Sequence, residues 1–130
     1  MSVTFLSPQW LELAQQTLTE LAARDGTTVS MCEAFNDAPS GSVGRTLDGR
    51  AAWHFRLDGN RCVVGSGEIN DADIKLVFDY DAVMPYARKV IDPATVTDEE
   101  PPPIISFEGD ATKLPAFLLE LHNRLATQTT

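Results

Sequence analysis

Apolar positions along this chain switch between two spacings, and the switches divide it into elements. After Ser7-Pro8, the residues Trp10, Ala14, Thr17, Leu18, Leu21 and Ala22 recur at helical spacing, with Glu12, Gln15, Gln16, Glu20 and Arg24 mostly elsewhere. Serine caps a first turn well, and proline costs nothing at a position whose N–H would be unpaired anyway. Asp25-Gly26 ends the run, glycine supplying the left-handed stop. The spacing predicts an amphipathic helix lying over a core, with Trp10 used for packing. From Thr27 to Phe35 the period drops to two. Val29, Met31, Glu33 and Phe35 alternate with Thr28, Ser30, Cys32 and Ala34, which predicts a strand. The segment from Asn36 to Gly49 is rich in glycine and serine and reads as a loop.

The stretch from Ala51 to Tyr80 organises the rest. Arg50 to Leu57 sets Trp53, Phe55 and Leu57 on one face, with Ala52, His54 and Arg56 on the other. Asp58-Gly59-Asn60 is hairpin chemistry, because glycine and asparagine tolerate positive φ. Arg61 to Ser66 returns as the partner strand, Gly67 to Asp71 turns again, and Ala72 to Phe78 points Ile74, Leu76 and Phe78 inward. Three such strands in succession predict an antiparallel meander with one apolar face, the earlier strand lying at its edge. That face needs a cover. One candidate is a helix from Tyr80 to about Val90, capped by Asp79 or Asp81, with Val83, Tyr86, Ala87 and Val90 in one stripe. Pro85 must fit its first turn or kink it. The other is a helix that follows the turn at Gly109-Asp110 and runs to about Ala126. It would place Leu114, Phe117, Leu118, Leu121 and Leu125 together. Between them, Ile91 to Pro103 is acidic and proline-rich, an expected exposed loop, and Ile104 to Glu108 is a last short strand carrying Phe107.

Composition narrows the function classes. The 130 residues predict a single domain, 1–130, able to bury its own core. A net charge of −9 leaves no basic patch, which disfavours nucleic acid and adsorption to anionic membranes. No apolar run approaches the ~20 residues of a membrane span, so no stable membrane insertion is expected. The N-terminus lacks a signal-peptide pattern and the C-terminus a lipidation or peroxisomal one, and the expected compartment is a bacterial cytoplasm. Cys32 and Cys62 stand far apart without a CxxC spacing and are expected as buried reduced thiols.

The sequence shows no reaction centre. GSVGRT lacks the Gly-Lys-Ser/Thr ending of a phosphate loop. His54 is expected on the polar face of its strand and His122 toward solvent, neither with a partner at metal-ligand spacing. Asp71, Asp73, Asp79 and Asp81 flank one apolar strand at turn and cap positions, where aspartate serves structure. No catalytic residue, metal or cofactor is expected. What remains is apolar: the sheet face (Trp53, Phe55, Ile74, Leu76, Phe78, Phe107) opposes two helix stripes (Val83, Tyr86, Val90; Leu114, Phe117, Leu118, Leu121). Periodicity alone leaves open whether the space between them is filled or hollow.

One resemblance bears on that question. GRAAWHFRLDGNRCVVGSGEINDADIKLVFDYDAVMPYARKVID, followed by IISFEGDATKLPAFLLELHNRLA, resembles the sterol carrier protein 2 domain family. The shared features are an aromatic strand, a DG hairpin, and a second strand ending near glycine. Ala72-Asp73 then opens a strand with a helix behind it, and Phe107 to Asp110 leads into a terminal amphipathic helix. The resemblance implies a five-stranded, mainly antiparallel sheet, α+β, with helices covering one face and enclosing an apolar tunnel. It implies a hydrophobic small molecule as partner, such as a sterol, fatty acid or acyl-CoA, bound without chemistry by the inward residues named above. This chain departs from the family in its acidity and in the length of the segment from Asp92 to Pro103. The expected function is binding of an apolar ligand. The alternative is an accessory subunit whose groove receives a protein partner, and an enzyme of lipid catabolism ranks below both for want of a triad.

Overall fold

The computed structural model describes residues 2–95 and 102–130. Helix α1 (Pro8–Asp25) begins and ends where its caps predict. Trp10 N donates to Ser7 Oγ at 3.1 Å, and Gly26, at φ 72°, donates its N–H to Ala22 O. The strands are β1 (Val29–Asn36), β2 (Ala51–Asp58), β3 (Arg61–Ser66), β4 (Ile74–Asp79) and β5 (Ile104–Gly109). Helix α2 (Tyr80–Ala87) follows β4, and α3 (Leu118–Ala126) closes the chain. The strands form one five-stranded sheet in the order β3-β2-β1-β4-β5. The β1–β2, β2–β3 and β4–β5 pairs are antiparallel and β1–β4 is parallel. The architecture is α+β, a mainly antiparallel sheet with its helices over one face.

Two expectations about strand order are corrected. The meander stops after β3, and the strand expected at the edge, β1, is the centre of the sheet. Alternation reports which face of a strand is buried and says nothing about its edges. The signal of centrality lies on the second face of β1, where Ser30, Cys32 and Ala34 are small and all buried. The chain reaches β4 by carrying residues 67–73 across the outer face of β2 and β1. Three strand spacings amount to ~14 Å, well within the reach of seven extended residues. Ion pairs fasten this crossing: Arg56 to Asp71 at 2.7 Å, and Glu68 between Arg50 and Lys75. Asp73 ends it, its Oδ2 accepting from Ser30 N at 3.0 Å while its own N–H donates to Ser30 Oγ at 2.8 Å. Backbone contact is close along the path, since a Cβ on Gly44 would lie 2.4 Å from Gly67 N.

Both covering helices are shorter than their apolar stripes suggest. Helix α2 ends at Ala87 with Arg88 as its C-cap. Helix α3 starts only at Leu118, because the chain first makes a 3-10 turn over Ala111–Lys113 and then meets Pro115. Proline's missing N–H and fixed φ interrupt what the leucine spacing alone would continue. Of the expected exposed loop, residues 96–101 lie outside the described residues. Its beginning is not exposed: Ile91 is buried, and the Asn123 side chain bonds both its N–H and its carbonyl, at 2.8 and 2.7 Å.

A hollow under the inner face of the sheet

The inner face is built from Met31, Glu33 and Phe35 of β1, Trp53 and Phe55 of β2, Leu76 and Phe78 of β4, and Ile104 and Phe107 of β5. Strand pairing aligns these residues in rows, with Glu33 beside Trp53 on one side and Leu76 on the other. Helix α1 covers the β2–β3 side, and α2 and α3 cover the β4–β5 side. Beneath α2 and α3 a cavity of about 290 Å³ remains. Its inner end is aromatic. Phe5 meets Trp10 and Phe35 edge-on with centroids 5.1 and 5.3 Å apart, Trp10 meets Trp53 edge-on at 5.1 Å, and Phe35 stacks on Phe78 at 5.4 Å. The lining grades from fully buried residues on β1 and β2 to Ile104 and Phe107, each 40% exposed, on β5. The hollow therefore opens toward the β5 edge.

Of the residues that the sequence marked, Trp53, Phe55, Leu76, Phe78, Val83, Tyr86, Phe107, Leu114, Leu118 and Leu121 line this cavity. Ile74 and Phe117 do not; both are buried in the surrounding core. Val90 is corrected outright: it lies past the end of α2 and is 53% exposed. The expectation for His122 is also corrected. Rather than facing solvent, it lies half-buried against the cavity, its ring 4.7 Å from that of Tyr86. Phe5, Met31, Glu33, Phe35 and Ile104 line the cavity although the sequence did not single them out. Met31, Glu33 and Phe35 are legible in principle as one face of an alternating strand, whereas Ile104, three residues from Phe107, shares its face only through the irregular β4–β5 pairing at Val77/Phe78. Phe5 precedes the first recognisable element and carried no periodic signal.

Glu33 breaks the apolar pattern. Its carboxyl sits at the middle of the inner face, with Trp53 Nε1 donating to Oε1 at 2.8 Å. Its remaining accessible surface is cavity wall, and no cation pairs with it among the described residues. Burial raises its pKa to about 7, against a smaller lowering by the Trp53 hydrogen bond. His122 donates from Nε2 to Lys89 O at 2.7 Å, and burial holds its pKa below the usual value. An uncharged imidazole and a carboxyl poised near neutrality thus face one apolar space.

Elsewhere the chemistry is sparse. Among the described residues no group of His, Cys, Asp and Glu could hold a metal ion, and no helix is long and apolar enough to cross a membrane. Both cysteines are free thiols. Cys32 is fully buried on the outer face, as expected, whereas Cys62 is only half-buried under α1.

These features define a fold of the sterol-carrier type. The structure is similar to a crystal structure of sterol carrier protein 2, with a TM-score of 0.64 and 13% identity, over 96% of this chain and 99% of that one. It is also similar to the solution structure of a conserved hypothetical protein from Thermus thermophilus, described as a possible sterol carrier protein. There the TM-score is 0.56 at 13% identity, covering 100% of this chain and 94% of the other. No protein-family profile and no curated protein sequence matches the chain. The likeness is one of fold.

Proposed function

We propose that this protein binds an apolar small molecule of lipid type, held between the sheet and helices α2 and α3 by the residues that line the cavity. The observation that carries the reading is the hollow itself. Aromatic and aliphatic side chains from four strands and three helices surround it, and a filled core would close a space of that size. An apolar cavity of ~150 Å³ already accepts benzene, and ligand pockets begin near ~300 Å³. About 290 Å³ suits a single acyl chain or a similarly slender molecule better than the four fused rings of a sterol. The shared fold with sterol carrier protein 2 supports the same reading.

Leu118 is the residue with which to test it. It stands half-buried on α3 against the cavity, so tryptophan there has space to enter. In a packed core the same enlargement costs about 1–3 kcal/mol. The uncharged fluorophore Nile red should bind the parent protein with a blue-shifted emission. Leu118→Trp should lose most of that binding while melting within a few degrees of the parent. A parent that does not bind the dye, together with a strongly destabilised variant, would mean a closed interior and end the proposal.

A further inference from the structure

A carboxyl group in the middle of an apolar wall is costly unless something uses it. Glu33 occupies the central strand, between Met31 and Phe35 along the chain and between Trp53 and Leu76 across it. Trp53 Nε1 fixes Oε1 at 2.8 Å, and Oε2 accepts no hydrogen bond among the described residues. The second oxygen is therefore the one strong acceptor left at the closed end of the hollow. From β2 and β4 the neighbours are Trp53, Phe55, Leu76 and Phe78, and from α1 Trp10; none is titratable. Among the described residues, the other titratable groups lining the cavity are Tyr86 of α2 and His122 of α3, whose Nε2–H is already committed to Lys89 O. Among the described residues no Lys or Arg lines it, so none of them would neutralise an anionic head group.

Resting on the ligand reading above, we propose that the preferred ligand is an apolar chain ending in a hydroxyl group, bound head-inward with the hydroxyl donating to Glu33 Oε2. A carboxylate on the same chain would set a second negative charge against the first in a space without a cation, and is rejected. An alkylammonium head would pair with Glu33 but must shed a far larger hydration shell to reach it. The alcohol satisfies the acceptor at the lowest desolvation cost. The raised pKa of Glu33 adds a condition to this selectivity: it belongs to the ionised carboxylate and weakens once Glu33 takes up a proton.

The experiment is competition for bound Nile red by decanol and by decanoate. At about pH 8.5, where Glu33 is ionised, decanol should displace the dye at a concentration at least tenfold lower than decanoate. Glu33→Gln keeps an acceptor for Trp53 and removes the charge, so the two competitors should draw within roughly threefold of each other. Should that variant not fold, the parent alone decides. At about pH 6 Glu33 is protonated while decanoate stays largely ionised, and the preference should narrow there too. Equal displacement by both competitors at the higher pH, or a preference untouched by both pH and substitution, overturns the role of Glu33 and leaves ligand binding standing. Displacement by neither competitor also overturns it. Absence of Nile red binding in the parent is a different failure, since it removes the cavity reading on which this one stands.

Discussion

The two halves of the inner sheet face are built from the same alternating strands, yet one is solid and the other hollow. Under α1 the contacts are closed: Ala14, Leu18 and Ala22 have no exposed surface, and Leu21 has almost none. Under α2 and α3, Leu114, Leu118 and Tyr86 stay half-exposed and Ile104 and Phe107 more so. The difference lies in the cover. Eighteen residues make α1 about 27 Å long, enough to cross the sheet in one piece. The eight residues of α2 and nine of α3 are each about half that length; Pro115 stands where α3 would otherwise begin earlier, and Pro85 lies inside α2, which ends two residues later. Two short rods leave uncovered part of a groove that one long rod would fill. Hollowness here follows from short helices, with no shortage of apolar residues.

That contrast can be broken from either side. The largest effect is expected on the solid half. Leu18→Ala removes a fully buried side chain from a site with no room to relax, and should cost about 2–5 kcal/mol in urea unfolding. A loss below about 1 kcal/mol would mean that the α1 side is loose as well.

Next in size is the buried carboxyl. Glu33 holds its proton up to about pH 7 in the folded protein, whereas its unfolded pKa is 4.5. Between those values the folded state binds more protons, so stability falls as pH rises through the window, by at most about 3 kcal/mol. His122 works in the opposite sense, its depressed pKa withdrawing stability as pH falls below 6.5. Glu33→Gln should therefore gain stability over the parent at pH 8 and lose that advantage near pH 5. Identical shifts of parent and variant between the two pH values would show that Glu33 is solvated.

The smallest effect belongs to the hollow half. Leu118→Ala enlarges a space that already exists and should cost no more than about 1 kcal/mol, well short of Leu18→Ala. Equal costs for the two leucines would erase the distinction between the halves.

Much of the solid half was legible in the sequence, because caps, periodicity and hairpin chemistry act locally. Ser7, Pro8 and Gly26 bound α1 as their conformational preferences require, and Gly59 turns the β2–β3 hairpin at φ 64°. The hollow half was legible only in composition. Leucine spacing ran straight through Pro115 and misplaced the start of α3, and Val83, Tyr86 and Val90 looked continuous although the helix stops at Ala87. Strand order was not legible, since pairing along an edge is made by backbone groups that every residue shares. Glu33 was in plain view as a charged residue in an apolar register. Its meaning depends on β1 being central and on no cation among the described residues reaching it, both of which are long-range facts.

The parallel pairing of β1 with β4 also governs when the sheet can be completed during synthesis. One edge of β1 finds β2 soon after it emerges, and the other must wait for a strand beginning about 40 residues further on. At ~5–20 residues per second that interval lasts roughly 2–8 s. For those seconds the most buried strand of the mature sheet is an open template, with Val29, Met31 and Phe35 on one side and unpaired amides along its edge. The nascent chain is thus most vulnerable to aggregation at the strand that the finished protein protects best, and faster delivery of β4 would shorten the exposure.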